Sequence, residues 1–160
     1  MLQPMLNRTN RLTSEHPERS TAVDFQESIV ALIRALGLHQ PEQTPCGQPV
    51  AVGEAHALLE LTREPGLSQN SLAARLRLEK STVSRLVTML ERRGWIERQR
   101  DGADARIVRV RLTTAGREAA GNIAATRAEK FSGVFAAIPA PKREAVLDAL
   151  DTLVRVLREA

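Results

Sequence analysis

The stretch from Ser68 to Thr113, SQNSLAARLRLEKSTVSRLVTMLERRGWIERQRDGADARIVRVRLT, constrains this chain more than any other. Ser68 is a good N-cap for a short helix holding Leu72, Ala73 and Leu76. From about Glu79 to Arg93, Val83, Leu86, Val87 and Leu90 recur at helical spacing, and Gly94 is placed to stop that helix. Two strand-like runs follow, Trp95 to Arg100 and Ile107 to Leu112, joined by DGADA. In the second run Ile107, Arg109 and Arg111 alternate with Val108, Val110 and Leu112, so one face is basic and the other apolar. Helix, turn, helix, hairpin is the order of a winged helix-turn-helix, which sets one helix in a DNA major groove with a hairpin beside it.

Charge points the same way. The whole chain carries +4, but Arg75 to Arg111 holds eleven basic residues against five acids. That segment is therefore +6, and the remainder is net negative. Positive charge gathered on one segment is the footprint expected of phosphate contact.

The flanks read as helices around this head. Phe25, Ile29, Leu32, Ile33 and Leu36 make a stripe that Asp24 can cap and Gly37 can end; LHQPEQTPCGQP is a connector. A helix from about Gly53 turns Ala55, Leu58, Leu59 and Leu61 inward and stops before Pro65-Gly66. After Thr113 one stripe runs through Ala120, Ile123, Ala124, Phe131, Val134, Phe135 and Ile138, broken by Pro139 and Pro141. The last helix carries Val146, Leu150, Leu153 and Leu157, widened by Leu147 and Val154. With no Tyr, one Trp and three Phe, the core must be built from aliphatic residues. A small winged helix does not cover all these stripes, so a helical dimer interface is expected.

In the fourth helix Lys80, Ser81, Thr82, Ser84, Arg85 and Thr88 are left facing outward, mostly near the N-terminus, where a recognition helix meets base edges and phosphates. Arg85 is suited to bidentate pairing with guanine, worth roughly 1–3 kcal/mol of discrimination. Asp104 stands two residues before Arg106 and can hold the guanidinium or a neighbouring N–H, presenting an arginine to a minor groove.

These motifs, STVSRLVTMLERRGWIER and DGADARIVRVRLT above all, resemble the multiple antibiotic resistance regulator (MarR) family, over roughly Asp24 to Leu157. The resemblance implies a mainly α fold: a winged helix-turn-helix with a two-strand wing over 53–113, dimerisation helices at 24–40 and 114–158, and a domain spanning 23–158. Residues 1–22 are expected to be a disordered arm. It further implies a homodimer on double-stranded DNA, a repressor as the expected sense, an inverted-repeat operator, and release by a small aromatic or phenolic effector. Carried over by position, Ser81, Thr82, Ser84 and Arg85 match the major-groove contacts, Asp104 and Arg106 the Asp-x-Arg pair of the wing, and Ser68 and Gln69 phosphate contacts. The chain departs from the pattern at Arg77, where Gly is frequent in the turn, at Glu79 in place of a short cap, at Gly102 for Pro and at Ala105 for a second Arg. If the turn needs positive φ, Arg77 is strained.

Sensor candidates are few. His39 and His56 lie near the junction of the first two helices, where relatives hold effectors, and either is able to hydrogen-bond an acidic ligand; His16 belongs to the arm. Cys46 sits in the connector rather than at the start of the first helix, so a passive thiol is expected and a redox-responsive regulator is the alternative. Trp95 is expected to pack between recognition helix and sheet. Histidine and cysteine spacing shows no metal motif, and neither a cofactor nor an enzyme is expected. A winged helix used for protein interaction, or for architectural DNA binding, stands as a further alternative. The lone Cys and the lack of apolar runs of about 18–20 residues predict a cytoplasmic protein with no membrane contact.

Overall fold

A computed structural model describes residues 22–102, 104 and 106–159; of the arm expected over 1–22, residues 1–21, His16 among them, lie outside the described residues, as does Ala105, while Ala22 already belongs to the first helix. In chain order the elements are α1 (Ala22–Leu36), α2 (Val52–Arg63), β1 (Leu67–Ser68), α3 (Gln69–Leu76), α4 (Lys80–Arg92), β2 (Ile96–Arg100), β3 (Val108–Leu112), α5 (Thr114–Ala137), a 3₁₀ turn (Ala140–Lys142) and α6 (Arg143–Glu159).

The core is aliphatic, as the shortage of aromatics requires. Leu58 and Leu61 of α2, Leu72 of α3, Val83, Val87 and Leu90 of α4, and Val110 of β3 are almost wholly buried, and Leu86 packs on them from the edge. The two-strand wing expected is β2 and β3, and a third short strand that the sequence reading did not include joins their sheet. Leu67 and Ser68 pair antiparallel with Val110 and Arg109, so β3 lies between β1 and β2. Two residues carry too little alternation to read as a strand.

Helix ends follow the local chemistry. Ser68 accepts from Ser71 N–H at 3.0 Å and so caps α3 as expected. Glu79 at the head of α4 makes no side-chain cap bond. Gly37 and Gly94 take φ of +74° and +70° just past α1 and α4. Asp24, expected to cap α1, lies within its first turn, and its carbonyl accepts from the Ser28 hydroxyl at 2.8 Å.

One junction fixes the head to the long helix. Thr113 N–H donates to Trp95 C=O at 3.0 Å, and the Thr113 hydroxyl donates to Gly94 C=O at 2.7 Å while accepting from Gly116 N–H. Trp95, half-buried, packs against the core, as expected. A Cβ on Gly116 would stand 1.8 Å from Trp95 O, so no other residue fits there.

The stripe read along α5 has two parts. Ala120 and Ile123 are buried in the core, whereas Phe131, Val134 and Phe135 are exposed. α1 and α6 bury no residue within the single chain, and Phe25, Leu32, Leu147, Leu150, Val154 and Leu157 face outward. The α5–α6 corner is clamped by Arg143, which donates to Ile138 and Ala136 carbonyls, both at 3.0 Å, and lies over the Phe135 ring.

Gly116→Ala is expected to cost more than the roughly 1–3 kcal/mol of ordinary overpacking. Gly121→Ala, with nothing within 4 Å of its Cβ, gains up to about 1 kcal/mol of helix propensity. Thermal midpoints of the two variants, measured side by side, should move in opposite directions; equal shifts would contradict the junction geometry.

Candidate nucleic-acid interface and adjoining cavity

The helix-turn-helix is α3, a tight turn and α4. Arg77 ends α3 in the left-handed conformation (φ 54°, ψ 43°), with its N–H bonded to Ala74 C=O at 3.2 Å. The turn therefore does need positive φ, and the side chain pays a steric cost that Gly would avoid. Arg77 itself is exposed beside the head of α4.

On α4, Lys80, Ser81, Thr82, Ser84 and Arg85 are all exposed, opposite the buried Val83, Val87 and Leu90. Thr88 stands apart from them. Its hydroxyl donates to Ser84 C=O at 2.9 Å and accepts from Arg98 of β2 at 2.8 Å, so it is already committed. Arg98 also pairs with Glu91 at 3.2 Å, tying β2 to the recognition helix. The sequence gives no sign of this clamp, because the partners are ten residues apart in different elements.

In the wing, Asp104 accepts from Arg106 N–H at 2.9 Å, so the carboxylate shapes the backbone and leaves the exposed Arg106 guanidinium outside. Arg109 is paired with Asp101 and also donates to Gly66 C=O at 3.0 Å, which fixes the wing to the loop before α3. Arg106, Ser68 and Gln69 line one open cleft of about 450 Å³ between the wing and the start of α3. The residues expected at DNA thus form two adjoining patches, the α4 face and the α3–wing cleft.

On the far side of α2 lies a second cavity of about 360 Å³, with walls from α1, the connector, α2 and α5. Leu36, Leu59, Ile123 and Phe131 make it apolar, while Cys46, His56 and Arg127 supply its polar edge. His56 is among these residues; His39, exposed on the connector, is not. Cys46 Sγ lies 3.0 Å from the Thr44 hydroxyl. The connector is tied to α5 by Gln48, which donates to Thr126 Oγ1 at 3.1 Å, and by Lys130, which donates to Pro45 C=O. Burial in the cavity wall lowers the His56 pKa below its usual 6.5; the Arg127 charge lowers it further, and Glu60 partly opposes them. Arg127 escaped the sequence reading. Its signal is a cation at the middle of the apolar series Ile123, Arg127, Phe131, spaced four apart.

Among the described residues no group of His, Cys, Asp and Glu is arranged to hold a metal ion, and no helix is long and apolar enough to cross a membrane.

Residues 49–107 match the model of the MarR family. An HTH-type transcriptional regulator of Mycobacterium leprae is 24% identical over 139 residues, covering 87% of this chain and 94% of its own length. Among solved structures, the PcaV transcriptional regulator of Streptomyces coelicolor superposes with a TM-score of 0.70 at 21% identity, over 86% of this chain and 98% of its own. The Staphylococcus aureus MepR–DNA complex gives 0.69 at 23%, over 82% and 97%. Bordetella bronchiseptica BpsR, whose DNA binding is regulated by 6-hydroxynicotinic acid, gives 0.66 at 17%, over 87% and 96%.

Replacing Arg77 by Gly is expected to raise the thermal midpoint by a few degrees, since about 1 kcal/mol of left-handed strain is relieved. Arg77→Val, with a branched Cβ in the same conformation, should lower it. A lower midpoint for Arg77→Gly would show that the turn is not strained.

Proposed function

We propose that this chain, a MarR-family transcriptional regulator and not an enzyme, works as a homodimer that represses transcription from an inverted-repeat operator. Release follows when a small aromatic or phenolic effector fills the cavity behind α2. It works where the DNA is, in the cytoplasm. The observation that carries this reading is the joint geometry of α4 and the wing. Lys80, Ser81, Thr82, Ser84 and Arg85 are exposed on one face, with Arg106 standing free at the side. A surface built for a protein partner would instead put apolar and aromatic residues at its centre.

Each residue has a part. Arg85 reads base edges in the major groove, Ser81, Thr82 and Ser84 serve bases or the backbone, and Lys80 neutralises phosphate at the start of α4. Ser68 and Gln69 meet phosphate from the N-terminus of α3, and Arg106 enters the minor groove. Thr88 contributes through Arg98, by holding the base of the wing. The domain limits of 23–158 are kept, and the dimer forms through α1, the second half of α5 and α6. These leave Phe131, Val134, Leu150, Val154 and Leu157 exposed in one chain. A two-fold pair of heads then meets two half-sites one helical turn apart.

The cavity suits an aromatic effector. Its walls are apolar with a few polar groups at one edge, the usual makeup of a small-molecule site. It also touches α2, on which the reading head is built, and α5, which leads to the dimer helices. Occupation there is able to change the spacing of the two heads. Cys46 serves as wall rather than as sensor.

Selection of random duplex DNA on the purified protein, at about 150 mM salt, should enrich an inverted repeat with half-sites about 10 base pairs apart. A pool without enrichment would favour architectural binding. Arg85→Ala should relax base preference at one position of each half-site, with the preferred site weakened by roughly 1–3 kcal/mol. Equal weakening of all sequences would remove the base-reading role. Leu150→Glu should give a monomer by sedimentation and abolish tight operator binding, and a fully active monomer would refute the dimer. Cys46→Ser should bind and release DNA as the parent does; loss of release on peroxide treatment in that variant alone would make the thiol a sensor.

A further inference from the structure

The arginines of the head divide by what they hold. Arg75 pairs with Glu60 and Glu64, Arg93 with Glu54, Arg98 with Glu91 and Arg109 with Asp101. Each of these cations joins separate parts of the fold. Arg77 does not. Among the described residues its exposed guanidinium has neither ion pair nor hydrogen bond, although Glu79 stands only two residues away.

The turn itself has no need of this side chain. Arg77 N–H donates to Ala74 C=O at 3.2 Å and Leu78 N–H to Ala73 C=O at 3.1 Å, and these two main-chain bonds close the end of α3. They require the left-handed conformation at Arg77, which Gly adopts freely and a residue with a Cβ does not. Among the described residues Arg77 is the one non-glycine with positive φ. A strained residue whose charged group holds nothing in the fold calls for a use outside it.

Its place says which use. In a helix-turn-helix the helix before the recognition helix crosses the DNA backbone, while the first residues of the recognition helix meet base edges. Ser68 and Gln69 stand at the start of α3 and Arg77 at its end, about 12 Å further along the axis. Three residues on, Lys80 opens α4. We propose that Arg77 is a second clamp on DNA phosphate, at the opposite end of α3 from Ser68 and Gln69; this rests on the reading of α4 as the recognition helix. A guanidinium offers a phosphate paired N–H donors and a charge that is always present. A phosphate carries no sequence information, so the clamp adds affinity on every duplex and fixes none of the operator's bases. Arg77 is thus unfavourable for folding and favourable for binding, and the two effects separate on substitution.

The test is titration of the full chain with a labelled duplex of random sequence, and with the duplex enriched by selection, at salt from about 50 to 200 mM. Arg77→Gln keeps a Cβ in the same conformation and removes the charge. It is expected to bind both duplexes about tenfold more weakly. Its slope of log affinity on log salt should be shallower by about 0.9 for each lost contact, or about 1.8 for two heads. Arg77→Gly should show the same loss even as its thermal midpoint rises, and Arg77→Lys should recover most of the affinity. Affinity and slope equal to the parent's in both Arg77→Gln and Arg77→Gly overturn the proposal and leave DNA binding by α4 intact. A loss in Arg77→Gly alone assigns the effect to the backbone of the turn and overturns it too, as does a loss confined to the enriched duplex. A parent that binds neither duplex overturns the DNA reading itself, and the clamp with it.

Discussion

Everything in this molecule hangs from the contact of Thr113 with the Gly94–Trp95 backbone. Within a few ångströms it joins the end of the recognition helix, the first residues after it, the end of β3 and the first turn of α5. Gly116 is required because the α5 backbone comes so close to Trp95 O that a methyl group has no room. The winged head is thereby held directly on the first turn of α5. In the proposed dimer, that attachment is what would turn a change in the helices, or a ligand behind α2, into a change of spacing between the two heads.

The division of α5 follows from the same geometry. Its first half is part of the core of the head, through Ala120 and Ile123, while its second half holds out Phe131, Val134 and Phe135. Arg143 then turns the chain over Phe135 and satisfies the carbonyls left at the end of α5. A single chain leaves these surfaces wet. In the proposed dimer a second copy would cover them, and folding would then be linked to association.

The sequence made the head legible because its signals are local. Helical spacing in α4, Gly94 after it, Ser68 before α3 and alternation in β3 each lie within one element, and each has its counterpart in the structure. Arg77 was legible as a conditional strain, since the family pattern places Gly there, and its φ of 54° fulfils the condition. What escaped is set by partners distant in the chain. β1 exists only because β3 offers it an edge, Thr88 is occupied only because Arg98 reaches it, and Arg127 faces a cavity whose other wall is ninety residues away at Leu36. His39 looked equivalent to His56 because both flank the same connector, but His39 lies exposed on that connector whereas His56 stands on α2 and lines the cavity.

The occupied Thr88 has a meaning for information. Of the α4 residues proposed to meet DNA, those left uncommitted, Lys80, Ser81, Thr82, Ser84 and Arg85, all lie in its first half, so one head on that reading would inspect a short run of bases. In a genome, such a short word recurs too often to mark a promoter. Rarity has to come from requiring two words at a fixed distance and orientation, which is a property of the helices far from DNA. On the proposed dimeric reading, selectivity would therefore depend as much on the Arg143 corner between α5 and α6 as on Arg85.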